Sequence, residues 1–185
     1  MKWTIKKIES KLQKQLKRNY LSFGLDIALK VTGYAILKTT NTELILVDKG
    51  IIDTSKFNII TDRLNYIEKS IKNIIIPNIK DRVGVIEKPY IGINRNTAIV
   101  LAKSAGVAYS VLRKKFPYTF FLSAVSARAR IGFHSKKRTK EEIKAKIKKP
   151  NTKKLLQEFI KEKFNFVEDN NIVDGFVLSI AGLIV

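Results

Sequence analysis

Residues 20–39 read YLSFGLDIALKVTGYAILKT. They form two apolar runs, Tyr20 to Ala28 and Gly33 to Thr39, parted by a short polar turn. Apolar runs of this length bounded by turn residues are strands, and a third follows from Glu43 to Asp53. The short connections make the three an antiparallel meander. Inside the first run stands one acid, Asp26, within Phe23-Gly24-Leu25-Asp26-Ile27-Ala28. Burying a carboxylate there is costly unless it is paired or bound to a metal.

Working outward, the period changes after Ser55. Ile60, Leu64, Ile67, Ile71 and Ile75 form a helical stripe that Pro77 ends. Arg82 to Glu87 is a short buried strand, and Asn96 is the expected N-cap of a long helix running to about Lys115. Tyr118 to Ala124 is a fifth strand, with Arg128 and Arg130 alternating just beyond it on an extended stretch. Helical stretches over Lys140 to Lys148 and Thr152 to Phe164 precede a last apolar helix starting near Asn171. Before the meander, Trp3, Ile8, Leu12 and Leu16 fall at near-helical spacing, so residues 1–18 read as one basic amphipathic helix attached to a domain of residues 19–185. The order βββαβαβα predicts an α/β fold, a mixed five-stranded sheet flanked by helices.

The chain has 185 residues, with 36 Lys and Arg against 16 Asp and Glu, a net charge of +20. With 45% hydrophobic residues it is a folded body rather than a basic tail, and such a body calls for a polyanion partner, nucleic acid first. The absence of cysteine excludes disulfides, thiolate-bound zinc and a thiol nucleophile. A single His134, read as a loop residue, argues against a His-based triad. No run reaches the roughly 18 apolar residues a membrane span needs, and no secretory leader is visible, so the expectation is a cytoplasmic protein with no membrane partner. Residues 1–18 contribute +6 and residues 136–154 contribute +8 of the charge.

Three acids lie against apolar sequence: Asp26 in the first strand, Glu87 at the end of a middle strand, and Asp174 entering the last helix. Each alone is an ordinary strand-end or helix-start acid. Together they form a carboxylate cluster if the fold brings those elements side by side. Such clusters repel unless divalent cations neutralise them. Mg²⁺ takes oxygen ligands and suits phosphate substrates, and two such ions support phosphodiester hydrolysis.

The stretch Gly24 to Ala35 (GLDIALKVTGYA) resembles the opening motif of the RuvC-type Holliday junction resolvases. Val85-Ile86-Glu87-Lys88-Pro89-Tyr90, followed by Asn94 to Ala108, resembles their second acidic strand and the helix after it. Ile172-Val173-Asp174-Gly175 resembles their final acidic motif. The match runs in order over about residues 20 to 185 and suggests a short phage-type member. The resemblance implies a ribonuclease H-like fold, a homodimer, Mg²⁺ or Mn²⁺ (two ions), and endonucleolytic nicking of branched DNA (Holliday junctions and forks), leaving a 5′-phosphate and a 3′-hydroxyl. Asp26, Glu87 and Asp174 match three family metal ligands and are the expected catalytic residues. Asn171 stands where the family carries Asp or His, three residues before the last Asp. Asn171 itself, Glu168 or, by preference, Asp169 is then the fourth ligand; otherwise Glu168 and Asp169 simply cap the helix, or the chain is an inactive structure-selective DNA binder.

Tyr90 matches a family aromatic that touches bases near the branch point. Lys140 falls near a basic position that contacts DNA in the family. With Arg128, Arg130, Lys136, Lys137 and Arg138 it makes up the expected DNA-binding set. Thr32 is either a phosphate-orienting or a purely structural turn residue. Helix Thr97 to Lys115, rich in Ala and Gly, is the expected dimer interface. Removal of residues 1–18 is expected to weaken DNA binding without abolishing nicking.

Overall fold

In a computed structural model, which describes residues 1–90, 95–134 and 151–185, the chain builds one mixed sheet between two helical layers. Its elements are β1 (Lys2–Thr4), α1 (Ile5–Leu12), β2 (Leu21–Asp26), β3 (Val31–Thr39), β4 (Glu43–Asp53), α2 (Ile60–Asn73), β5 (Arg82–Glu87), α3 (Arg95–Lys115), β6 (Tyr118–Leu122), α4 (Ala124–Arg130), α5 (Thr152–Phe164) and α6 (Asn170–Leu183). The sheet order is β1-β4-β3-β2-β5-β6. The meander β2-β3-β4 is antiparallel, whereas β5 and β6 add parallel to β2 on the other side. The sheet therefore has six strands, not five, because Lys2–Thr4 pairs along Glu43–Ile45.

Alternation along β2 sorts its residues into two faces. Leu21, Phe23 and Leu25 pack with Ile86 under α2 and α3, joined by Ile67, Ile71 and Leu112. The opposite face carries Ser22, Gly24 and Asp26. On that side Val83 and Val85 meet a second core made by α1, α4, α5 and α6. Helix α6 lies at its centre: every residue from Ile172 to Leu183 is buried, which explains a run that is apolar all round. Small residues under it set its height. A Cβ on Gly24 would stand 2.1 Å from the Gly175 carbonyl oxygen, and one on Gly33 would stand 2.0 Å from that of Asn171. The Ser179 hydroxyl donates to the Ser22 carbonyl at 2.9 Å, fixing the helix along β2.

Residues 1–18 are not one helix. Gln13 adopts the left-handed conformation and ends α1 at Leu12, after which Leu16 bridges to Ile184. Nor are they an appendage to the core. Ile5, Ile8, Leu12 and Leu16 are buried in it, and Trp3 donates its indole N–H to the Phe164 carbonyl at 2.6 Å. The Arg18 guanidinium meets both oxygens of Glu9 at 2.8 Å, closing the segment on itself. The stripe of α2 is also shorter than its pattern: Ile67 and Ile71 are buried, but Ile60 and Ile75 are exposed. The expected fifth strand stops at Leu122, and the stretch carrying Arg128 and Arg130 is helical rather than extended, with Ser123 as its N-cap. The expected helix over Lys140 to Lys148 lies outside the described residues. Among the described residues, no helix is long and apolar enough to cross a membrane.

Candidate active site

Parallel pairing places Leu25 beside Ile86, so the next residues, Asp26 and Glu87, end adjacent strands on the same face. That face is the one α6 covers, and the close seating of α6 on Gly24 and Gly33 brings its second turn, with Asp174, to the same strand ends. Of the three acids expected from the sequence, Asp26 and Glu87 thus meet, and Asp174 comes near enough for its charge to act on Asp26. The Asp26 carboxyl is pushed up to about 9. Burial is the main cause, followed by its hydrogen bond to Glu87 and the charges of Glu87 and Asp174, with Lys153 pulling the other way. Of the facing carboxyls, Asp26 is therefore the one that its surroundings hold towards the protonated form.

Asp174 is only 9% exposed. Its Oδ1 accepts from Nη2 of Arg128 at 3.0 Å. Among the described residues, no three His, Cys, Asp or Glu side chains are gathered closely enough to share one ion. Asp26 and Glu87 touch, while Asp174 acts on Asp26 through its charge and spends an oxygen on Arg128. The chemistry of the donor set nevertheless fits a hard divalent cation. It is all carboxylate oxygen, and a divalent cation is the species that would let Asp26 ionise beside Glu87 and Asp174.

The candidates for a fourth ligand have other partners. Asp169 is the N-cap of α6 and accepts both the backbone N–H and the side-chain amide of Asn171 at 2.8 Å. Glu168 is paired with Lys49. Capping thus describes Asp169, and Asn171 serves the cap. Tyr90, three residues past Glu87, is 81% exposed, so it is free of the core and its ring is open to a base. Arg130 donates to the Ala181 carbonyl at 3.1 Å, at the far end of α6 from Asp174, so the two arginines do not form one face. The Thr32 hydroxyl donates to the Ala28 carbonyl at 2.8 Å and closes the β2–β3 turn. His134 is exposed and lines a cleft with Lys11, Lys14 and Lys163. Lys136, Lys137, Arg138 and Lys140 lie outside the described residues. Sequence reasoning missed the role of Arg128 as partner of Asp174, and it counted Lys153 only as part of a basic run. Asn151 before Lys153 is a helix N-cap signal that places this lysine in the first turn of α5.

The family model described as crossover junction endodeoxyribonuclease RuvC matches residues 22–150. The chain belongs to the RuvC family. Curated relatives include crossover junction endodeoxyribonuclease RuvC of Bacteroides fragilis, 30% identical over 97 residues (52% of this chain and 51% of the relative). That of Prochlorococcus marinus is 34% identical over 92 residues, or 50% of this chain and 57% of the relative. The chain therefore spans about half the length of the curated relatives it matches. Among solved structures, Thermus thermophilus RuvC in complex with Holliday junction substrate superposes with a TM-score of 0.64 at 8% identity, covering 87% of this chain and 91% of the other. Thermus thermophilus RuvC alone gives 0.62 at 10% identity, covering 89% and 98%. At such identities these likenesses show the fold, which is the RuvC-type architecture expected from the sequence.

Proposed function

We propose that this RuvC-family chain is a divalent-metal-dependent endonuclease that nicks branched DNA, with Asp26, Glu87 and Asp174 as its catalytic carboxylates. The observation that carries this reading is the pairing of Asp26 with Glu87 at the ends of adjacent strands, with Asp174 of a distant helix near enough for its charge to act on Asp26. These three side chains would hold Mg²⁺ or Mn²⁺. Such an ion supplies neutralisation of the carboxylates, an acidified water and stabilisation of the departing oxygen. The chain's own part is to fix the acids rigidly. Asp26 and Glu87 stand on paired strands, and Asp174 on a helix buried from Ile172 to Leu183. Tyr90 offers an open ring to an unpaired base at the branch point, a contact of about 1–3 kcal/mol. Arg128 and Lys153 beside the acids, within a chain of net charge +20, supply a grip on backbone phosphates, and binding should fall steeply with salt.

A twofold dimer suits a four-way junction, each subunit facing one of two equivalent strands. Helix α3 supports this. Ala105, Ala108 and Leu112 pack inwards, while Ile99, Ala102 and Gly106 are exposed along its other side. A second reading, a structure-selective DNA binder without turnover, is favoured by the engagement of Asp169 with Asn171 and of Asp174 with Arg128. Incubation of the protein with a synthetic four-way junction and Mg²⁺ or Mn²⁺ separates the two. Nicking that disappears in Asp26→Asn while junction binding persists supports the nuclease; tight binding with no product under either ion overturns it. A panel of junction, fork, flap and plain duplex then ranks the substrates.

A further inference from the structure

We infer that Arg128 is a built-in counter-ion of the acid site, which a divalent cation must displace from Asp174 before all three carboxylates can hold it. The inference rests on the metal-dependent reading above and adds a competition internal to the chain.

The pair is well placed to compete. Asp174 and Arg128 are joined at 3.0 Å, and their side chains are only 11% and 19% exposed, so solvent screens them little. The Arg128 guanidinium sets a positive charge directly against the Asp174 carboxylate. It supplies to Asp174 what a metal would otherwise supply, and no carboxylate from Glu168, Asp169 or the Asn171 position adds to the negative charge. The placement belongs to Arg128 rather than to basic residues of α4 in general, because Arg130 turns to the Ala181 carbonyl. Helix α4 is held by its Ser123 cap and by Ala127, which is buried, so release of Asp174 falls to the arginine side chain rather than to the backbone. The hold is also partial. Nε of Arg128 is buried without a hydrogen-bond partner, so Asp174 is gripped by one arm of the fork and not by two. A one-armed pair keeps Asp174 neutralised yet leaves it open to a stronger, doubly charged ligand.

The test is calorimetric titration of the full chain with Ca²⁺, comparing wild type with Arg128→Gln and Arg128→Lys. Removal of the competing charge is expected to tighten Ca²⁺ binding about ten-fold in Arg128→Gln, with Arg128→Lys falling between. Side-chain NMR on the wild type gives a readout that does not depend on the glutamine variant folding. The Arg128 Nε–H signal, assigned by its loss in Arg128→Lys, should shift along the same isotherm as Ca²⁺ binding. Equal or weaker Ca²⁺ binding in Arg128→Gln, or a wild-type Arg128 signal that stays fixed while Ca²⁺ binds, overturns the counter-ion and leaves the metal-dependent reading standing. No binding of Ca²⁺ to any of the three proteins overturns both.

Discussion

Replacing Asp26 by Asn should make the metal-free protein more stable at neutral pH, even though it removes a central residue of the proposed site. The folded chain holds the Asp26 carboxyl at about 9, whereas an unfolded Asp titrates near 4. Because the folded value is the higher one, the stability this group contributes is complete below about pH 4. It is lost as pH rises through the window to about 9. Each unit inside that window costs about 1.4 kcal/mol, so between pH 4 and 7 the loss reaches at most about 4 kcal/mol. Asn cannot titrate, and its amide can still donate to Glu87 in place of the carboxyl proton. The assay is thermal unfolding by circular dichroism in EDTA from pH 4.5 to 8, read as the difference between variant and wild type so that other titrations cancel. Asp26→Asn should gain several degrees at pH 7, at roughly 2–4 °C per kcal/mol for a chain of this size, with the gap shrinking as pH falls. Mg²⁺ or Mn²⁺ should raise the melting temperature of the wild type more than that of the variant. A variant less stable than wild type at pH 7, or a gap that does not grow with pH, would show that burial does not raise the Asp26 carboxyl.

Four further outcomes are expected. Gly24→Ala forces its new methyl onto the Gly175 carbonyl, and urea unfolding should show a loss of about 3 kcal/mol or more, whereas Gly106→Ala, in open space, should be neutral or stabilising. Gly106→Arg should shift the sedimentation of the proposed dimer towards monomer without lowering the melting temperature of the monomer. Ile8→Ala should cost about 2–5 kcal/mol in the same urea assay, and deletion of residues 1–18 should unfold the domain rather than merely weaken its hold on DNA. Tyr90→Ala should weaken junction binding about ten-fold in a gel-shift assay with an unchanged melting temperature, because the ring supports nothing beneath it.

The meander, the strand ending in Glu87 and the buried last helix were legible because each rests on a local pattern: apolar runs bounded by turns from Tyr20 to Thr39, a short apolar run in Arg82–Glu87, and unbroken apolarity after Asp174. The convergence of the acids followed from the family resemblance, and parallel pairing of Leu25 with Ile86 gives it a geometric cause. The rest was illegible for a common reason: tertiary contacts chose between local alternatives. Lys2–Thr4 has no strand pattern of its own and is extended because the edge of β4 is there to pair with. Trp3 and Leu16, which suit a helical stripe, fill the core from outside any helix. The stretch after Leu122 alternates like a strand, yet Ser123 caps it as a helix, and that choice turns Arg128 towards Asp174 and Arg130 away.

Helix α6 joins the strand it covers from far along the chain. The bond from Ser179 to Ser22 spans 157 positions. At a synthesis rate of about 5–20 residues per second, β2 waits roughly 10–30 s on the ribosome for the helix that buries one of its faces. Asp174 travels on that same helix, so the carboxylate site and one half of the core are completed in a single late event. Partly made chains of this protein therefore lack the third carboxylate of the proposed site.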